Sequence, residues 1–559
     1  MWGGLFSRQP LFKRLLCDKI LPVDSYARGP SFELTAKTAS QTFSETAARF
    51  ANRESLVVPF QNIRLTWKQL AREVEKTARG LAGLALTPGD RVGVWATNCA
   101  EWIYLQLGCA RAGLVLVNVN PAYRALELAY VLKRSGIKAL ILRSEDARSK
   151  YREILQQATH GEKLALEHVV YLGEDSWDHM ISNGIDIPAQ DADCHDVLNI
   201  QYTSGTTGSP KGVLLTHHNL VNNGKIIAHG LRYTEHDRLC SPVPMYHCFG
   251  CVIGTMAVIA SGATLILPAP SFDALCTMQA IHEERATSIY GVPTMFIAQL
   301  THPEFSRFDF SSLRTGVMAG APCPIEVMNR VVNDMHCPQM IIMYGQTESS
   351  PVITMGSVDD SVELRVSTVG SACPETEIKI ISADGATVPI GEQGELCARG
   401  YAIMKGYDED PDATARAVDP EGWLHTGDLA TMRPDGYFRI TGRLKDMIIR
   451  GGENIYPREV EEFLYTHPKI ADVQVVGLPD ERLGETVAAW IKLKAGETAS
   501  EDEIRDFCKG RIAHFKIPQQ IRFVDSFPMT VTGKIQKYII RQTEIQARHL
   551  ETAANIETA

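Results

Sequence analysis

The run Tyr202-Thr203-Ser204-Gly205-Thr206-Thr207-Gly208-Ser209-Pro210-Lys211-Gly212 brings together hydroxyl donors, three glycines and a cation. This mixture suits an anion, because glycine lets the backbone turn tightly and come close, hydroxyls donate hydrogen bonds and a lysine balances charge. A phosphate-cradling loop is the expected chemistry, and a merely flexible turn is the plain alternative. The run is not the Walker A pattern, since Pro210 stands where that pattern places glycine before the lysine. Cys248 and Cys251 have C-x-x-C spacing, but no second pair or suitably spaced histidine accompanies them, so zinc or redox chemistry is not expected. His247 lies in an apolar stretch and taken alone reads as a core histidine.

The loop resembles the signature of the adenylate-forming (AMP-binding) superfamily, which includes acyl-CoA synthetases, firefly luciferases and the adenylation domains of peptide synthetases. The superfamily's other motifs follow in order. They are Met343-Tyr344-Gly345-Gln346-Thr347-Glu348, Gly422-Trp423-Leu424-His425-Thr426-Gly427-Asp428, Gly442-Arg443-Leu444-Lys445-Asp446 and Pro528-Met529-Thr530-Val531-Thr532-Gly533-Lys534. The run from Ile200 to Asn223 looks most like the medium-chain fatty acyl-CoA synthetase branch. The resemblance implies an ATP-dependent acid–thiol ligase that uses ATP, Mg²⁺ and coenzyme A and makes an acyl-adenylate before the thioester.

That resemblance assigns roles residue by residue. Thr203, Ser204, Gly205, Thr206, Thr207, Gly208 and Lys211 would cradle phosphates. Gly320, Ala321 and Pro322 would meet the adenine, with Tyr344 stacked on it and Gly345 at the floor of the acyl pocket. Asp428 and Arg443 would hold the ribose, Thr347 the α-phosphate and Glu348 the Mg²⁺. His247 would orient the carboxylate or gate the thioester channel, and Tyr290-Gly291-Val292-Pro293-Thr294 would line another wall. Gly451 and Gly452 would let the pantetheine arm pass close to the backbone, and Lys445 would be the hinge. Lys534 answers a physical need, since two anions at ~4 Å repel by about 4 kcal/mol at an effective dielectric of about 20. Its ammonium would bridge the carboxylate and the α-phosphate during the in-line displacement.

The elements that must position these groups are legible in outline. Residues 91–95, 99–112 and 114–119 alternate apolar runs with a helical period, which predicts βα units and an α/β fold with parallel-rich sheets. Residues 239–272 carry no Asp, Glu, Lys or Arg, but prolines and glycines cut the run. A turn at 242–247, a buried helix at 250–261 and a short strand at 263–267 are expected, and no transmembrane segment. A boundary is expected near Thr441 to Asp446, where residues 437–440 read as a strand end and a polar run follows. The predicted organisation is an N-terminal arm (1–30), a large multi-subdomain adenylation domain (31–442), a hinge (443–445) and a small mobile α+β domain (446–559).

At 559 residues the chain exceeds one ordinary core, and its formal net charge of −10 gives no reason to expect nucleic acid as a partner. Thirteen scattered cysteines do not resemble a disulfide framework and fit a reducing compartment. Cytoplasmic residence is expected. The basic and apolar first nineteen residues raise a mitochondrial transit peptide or peripheral membrane contact as alternatives. The acyl segments show no cation for a second substrate charge, so the acid should be largely apolar. Two rival readings stand beside the CoA ligase. One is an adenylation enzyme that loads a carrier protein, and the other is a catalytically silent nucleotide-binding scaffold, against which Lys534 and Glu348 both speak.

Overall fold

The computed structural model describes residues 24–187, 192–203, 210–321, 323–451, 453–480, 482–530 and 535–550. Three sheets build the large body. A nine-stranded sheet has a parallel centre in which Gln339–Gly345, Thr315–Ala319, Ser288–Gly291, Arg238–Cys240, Thr264–Ile266 and Glu54–Val58 lie side by side. A seven-stranded sheet has the parallel strands Val197–Thr203, Val115–Asn118, Arg91–Trp95, Ala139–Leu142 and His168–Tyr171, edged by the antiparallel Lys211–Thr216 and Gly406–Tyr407. Parallel strands buried on both faces need apolar residues throughout, and Val92, Val94, Leu140 and Ile141 are fully buried. The helices Trp67–Gly83, Ala100–Ala112, His217–Gly230 and Thr255–Ser261 share one continuous core between these two sheets.

The uncharged run folds as its breakers dictate. His247 N–H bonds the Pro244 carbonyl to close the turn, and a side chain at Gly250 would come within 2.4 Å of that same oxygen. A π-helical turn, Phe249–Gly254, then leads into the helix Thr255–Ser261 and the strand Thr264–Ile266. Among the described residues no helix is long and apolar enough to cross a membrane.

The third sheet is antiparallel, in the order Tyr26–Arg28, Thr376–Ile381, Gly394–Gly400, Leu424–Met432, Phe438–Arg443. Its edge strand comes from residues that the sequence groups with the N-terminal arm: Tyr26 pairs with Lys379 and donates its hydroxyl to Glu377 at 2.6 Å. Its last strand runs three residues past the strand end expected at 440 and closes at Arg443, because Gly442 and Arg443 pair with Leu429 and Asp428. The short turn Leu444–Asp446 follows, and the exposed Lys445 lies within it.

Beyond it a small α+β unit has its own core of Ile448, Val460, Leu464, Val473, Ile491 and Ile504. The long hairpin Ile470–Asp480 with Gly484–Leu493 forms its spine, flanked by the helices Pro457–Leu464 and Lys537–Ala547. Arg439 of the third sheet bonds Glu462 of this unit at 2.5 Å.

Candidate active site

The phosphate-type loop springs from a β-hairpin. Thr203 and Lys211 are the last paired residues of its two strands, and residues 204–209 between them, which include the predicted Ser204, Gly205, Thr206, Thr207 and Gly208, lie outside the described residues. The root of the hairpin is firmly held. Asp408 N–H bonds the Gly212 carbonyl, and the buried Asp408 carboxylate takes both arms of Arg91 at 2.7 and 2.8 Å, tying the edge strands to the sheet centre. On the far side, Thr216 and Asn219 form a reciprocal cap on the helix His217–Gly230, and Asn219 Nδ2 reaches the Tyr401 carbonyl at 2.5 Å.

Lys211 Nζ sits 4.9 Å over the ring centre of Tyr407, and the Tyr407 hydroxyl donates to Glu348 Oε1 at 2.9 Å. Burial, with the neighbouring Glu348, pushes the Tyr407 phenol above its ordinary range, so it stays a donor. Cation, ring and carboxylate thus form one chain from the hairpin to the Thr347–Ser349 turn. Tyr407 was not singled out in the sequence. No motif spacing marks it, and only its pairing with Val213 brings it there.

Thr347 and Glu348 lie just past the end of the strand Gln339–Gly345, where parallel strands of open α/β sheets commonly present ligand sites. Gly345 is required at that end, since a Cβ there would fall 1.7 Å from the Pro351 carbonyl oxygen. The adjoining strand Thr315–Ala319 ends in register, Ala319 beside Met343, and Gly320 turns away with φ +86°. Gly320 and Ala321 are exposed at that edge, and Pro322 lies outside the described residues. Of the predicted adenine segment, Gly320 therefore follows a strand paired with the one that carries Tyr344.

Tyr344 also reaches the third sheet. Its hydroxyl donates to Asp428 Oδ2 at 2.7 Å, and Arg443 Nε meets Asp428 Oδ1 at 2.9 Å. Burial, followed by Asp428, holds the Tyr344 phenol well above its usual value. Asp428 is only 5% exposed, so its charge is compensated where it stands. Each carboxylate oxygen retains accepting capacity for a sugar hydroxyl.

The turn carrying His247 meets the same region. His247 Nδ1 accepts the Phe249 N–H at 3.1 Å, and the buried Cys248 Sγ lies 3.6 Å from that nitrogen and 4.0 Å from Thr347 Oγ1. Cys251, the other half of the C-x-x-C pair, points into a buried amide network, with Asn118 Nδ2 at 3.5 Å and Gln201 Nε2 at 3.4 Å. Burial lifts its thiol above the ordinary range, which suits an inert side chain. Phe249 stacks on the fully buried Tyr290 at 5.7 Å, so the turn and the predicted wall share an apolar, uncharged interior.

In the small unit, Gly451 has φ +59° at the tip between Ile448–Arg450 and Glu453–Ile455, where its N–H bonds the Leu483 carbonyl. Gly452 and Lys534 lie outside the described residues. Of the other predicted groups, the structure gathers Tyr344 with Asp428 and Arg443, and Lys211 with Glu348 through Tyr407.

The AMP-binding enzyme family model matches residues 43–408, and the AMP-binding enzyme C-terminal domain model matches residues 459–534. The chain is 46% identical to YngI of Bacillus subtilis (strain 168), which carries an acyl-CoA synthetase name, over 93% of this chain and 100% of that one. It is 43% identical to the human mitochondrial medium-chain acyl-CoA ligase ACSF2, over 94% of this chain and 90% of that one. Among solved structures, the Mycobacterium tuberculosis fatty acyl CoA synthetase superposes with a TM-score of 0.75 at 29% identity, covering 91% of this chain and 99% of that one.

Proposed function

The chain belongs to the AMP-binding enzyme family, and we propose that this AMP-forming acyl-CoA ligase takes a largely apolar acid of medium chain length. In its reaction the carboxylate attacks the α-phosphorus of ATP and pyrophosphate leaves. The thiol of coenzyme A then attacks the acyl carbon of the mixed anhydride and AMP leaves.

The observation that carries the site assignment is the meeting of three sheets at one place, with Lys211, Glu348 and Asp428 each held by a tyrosine or an arginine. Asp428 would accept the ribose hydroxyls beside Arg443, and Tyr344 would lie against the base. Lys211 and the hairpin hydroxyls would take the β- and γ-phosphates, and Thr347 the α-phosphate. The Glu348 carboxylate offers the hard oxygen donors that Mg²⁺ prefers, and its fixed position beside Tyr407 fits that role. When bound, the ion would neutralise charge on the phosphates. Lys534 would supply the cation that lets carboxylate and α-phosphate approach, and it would leave when the small unit turns about Lys445. A division of the domains at 443–445 is supported by the short turn Leu444–Asp446 that follows Arg443.

The acid is read from the uncharged interior around His247, Phe249 and Tyr290, which leaves a second substrate charge without a partner, and from the name of the human relative. A pyrophosphate-release assay over an acid panel, with and without CoA, tests it. Thioester formation should be fastest with acids of about C6 to C12, a length suited to a pocket of ordinary size. No acid-dependent pyrophosphate release across the panel would sink the ligase reading, and dependence on a carrier protein would replace CoA as acceptor. We assign the chain to the cytoplasm, with the mitochondrion of the human relative as the alternative, and fractionation of the tagged full chain decides between them.

A further inference from the structure

Asp428 lies at an irregularity within its strand, and a second carboxylate is built into that irregularity. Strands Gly394–Gly400 and Leu424–Met432 pair at Cys397 with His425 and again at Glu395 with Leu429. Thr426, Gly427 and Asp428 therefore stand opposite Leu396 alone, in a bulge whose middle residue has φ +69°. Glu395 spans it. Its Oε1 accepts the Gly427 N–H at 3.0 Å, and its Oε2 lies 3.0 Å from His425 Nδ1, which donates when it carries the proton. Thr426 Oγ1 completes the tie by donating to the Leu396 carbonyl at 2.6 Å and accepting the Asp428 N–H at 3.1 Å.

We infer that Glu395 is a positioning residue for nucleotide selection: it fixes the bulge so that Asp428 presents its carboxylate to both ribose hydroxyls. This rests on the ribose role proposed for Asp428. A bulge releases ladder bonds on the side of Leu396, so Asp428, held at its carboxylate by Tyr344 and Arg443, also depends on whatever re-ties the freed backbone groups, and Glu395 ties residues on either side of Thr426 at once. Glu395, Cys397 and His425 are also the residue types of a metal site. However, both carboxylate oxygens already meet a nitrogen at 3.0 Å, and burial pushes the Cys397 thiol up to about 12, so the cluster reads as a hydrogen-bonded clasp.

The test compares kcat/KM for ATP and 2′,3′-dideoxy-ATP in the full-length enzyme and its variants. The parent enzyme should prefer ATP by about 100-fold, the worth of two hydrogen bonds to a charged acceptor. Asp428→Ala should lose that preference. Glu395→Ala should cut the preference to about tenfold or less, by raising KM for ATP while dideoxy-ATP stays within about twofold of the parent. Glu395→Gln, whose amide can serve both contacts, should restore most of it. If Glu395→Ala does not fold, Glu395→Asp decides, because its carboxylate keeps the charge and is one methylene too short to span the bulge. Full ATP preference in folded Glu395→Ala or Glu395→Asp, alongside its loss in Asp428→Ala, overturns the inference alone. No preference in the parent, or full preference in Asp428→Ala, overturns the ribose reading itself.

Discussion

The ribose corner and the phosphate corner of the site are built on opposite plans. At the ribose corner a nearly buried carboxylate, Asp428, is gripped by Arg443 from the neighbouring strand and by Tyr344 from another sheet. At the phosphate corner the cation Lys211 stands at a hairpin root over the face of Tyr407, and Glu348 has the Tyr407 hydroxyl as its side-chain partner among the described residues. The difference follows the chemistry each corner faces. A sugar keeps its shape and charge through the reaction, so an acceptor fixed in advance recognises it best. The triphosphate loses pyrophosphate and gains an acyl group, so its partners must follow charge as it moves.

The largest expected effect exploits that contrast. Lys534→Ala should lower acid-dependent pyrophosphate release by about 10² to 10³-fold, the usual cost of losing one electrostatic stabiliser of a transition state. Conversion of preformed acyl-adenylate and CoA to thioester should stay within about threefold, because Lys534 has turned away with the small unit by then and does not face the charge that the departing AMP phosphate gains. Stopped-flow measurement of the two half-reactions separates them. Equal losses in both would mean that Lys534 is a fixed part of the site and that the phosphate corner does not change partners.

The scaffolds under the two corners should also differ in acid. The ribose sheet carries partly exposed ion pairs such as Arg399 with Glu377, whereas the helix that follows the phosphate hairpin begins with His217, whose Nδ1 accepts the Ala39 N–H at 3.1 Å. Burial lowers the His217 pKa to about 4, and the ring must be neutral to accept that bond. Between about pH 6.5 and that value the unfolded chain binds a proton that the folded chain does not, so stability falls as pH falls, by on the order of 3 kcal/mol when the window is crossed. Denaturant melts at pH 7 and pH 4.5 should show a shallower acid loss for His217→Asn than for the parent. Equal slopes would move the acid-sensitive point elsewhere.

Local chemistry was legible in the sequence where it is carried by contiguous residues. The hydroxyl-rich hairpin, the Thr347–Glu348 turn and the breakers at Pro242, Pro244 and Gly250 all declare themselves within a few positions. What the sequence hid depends on pairing across long separations. Tyr26 meets Lys379 and becomes an edge strand instead of an arm, Tyr407 reaches the site through Val213, and Glu395 matters only because a bulge sets it against Gly427. Periodicity shows which face of a strand is apolar but does not name its neighbour, so the residues that orient the site stayed hidden while those of its motifs did not.

The smallest expected effect is the one that tests how loosely the phosphate corner is held. Tyr407→Phe keeps an aromatic face under Lys211 and removes only the hydroxyl that bonds Glu348. Loss of one hydrogen bond to a charged acceptor should lower kcat/KM for ATP by about tenfold. Because the freed carboxylate would hold Mg²⁺ less well, the metal concentration for half-maximal rate should rise while preference for ATP over its dideoxy analogue stays unchanged. A Mg²⁺ titration of the parent and the variant reads both. A rate loss with no change in metal demand would detach Tyr407 from the metal ligand and leave it only the task of seating Lys211. A change in ribose preference would mean that the two corners are coupled through Tyr344 and Gly345 and are not independent constructions.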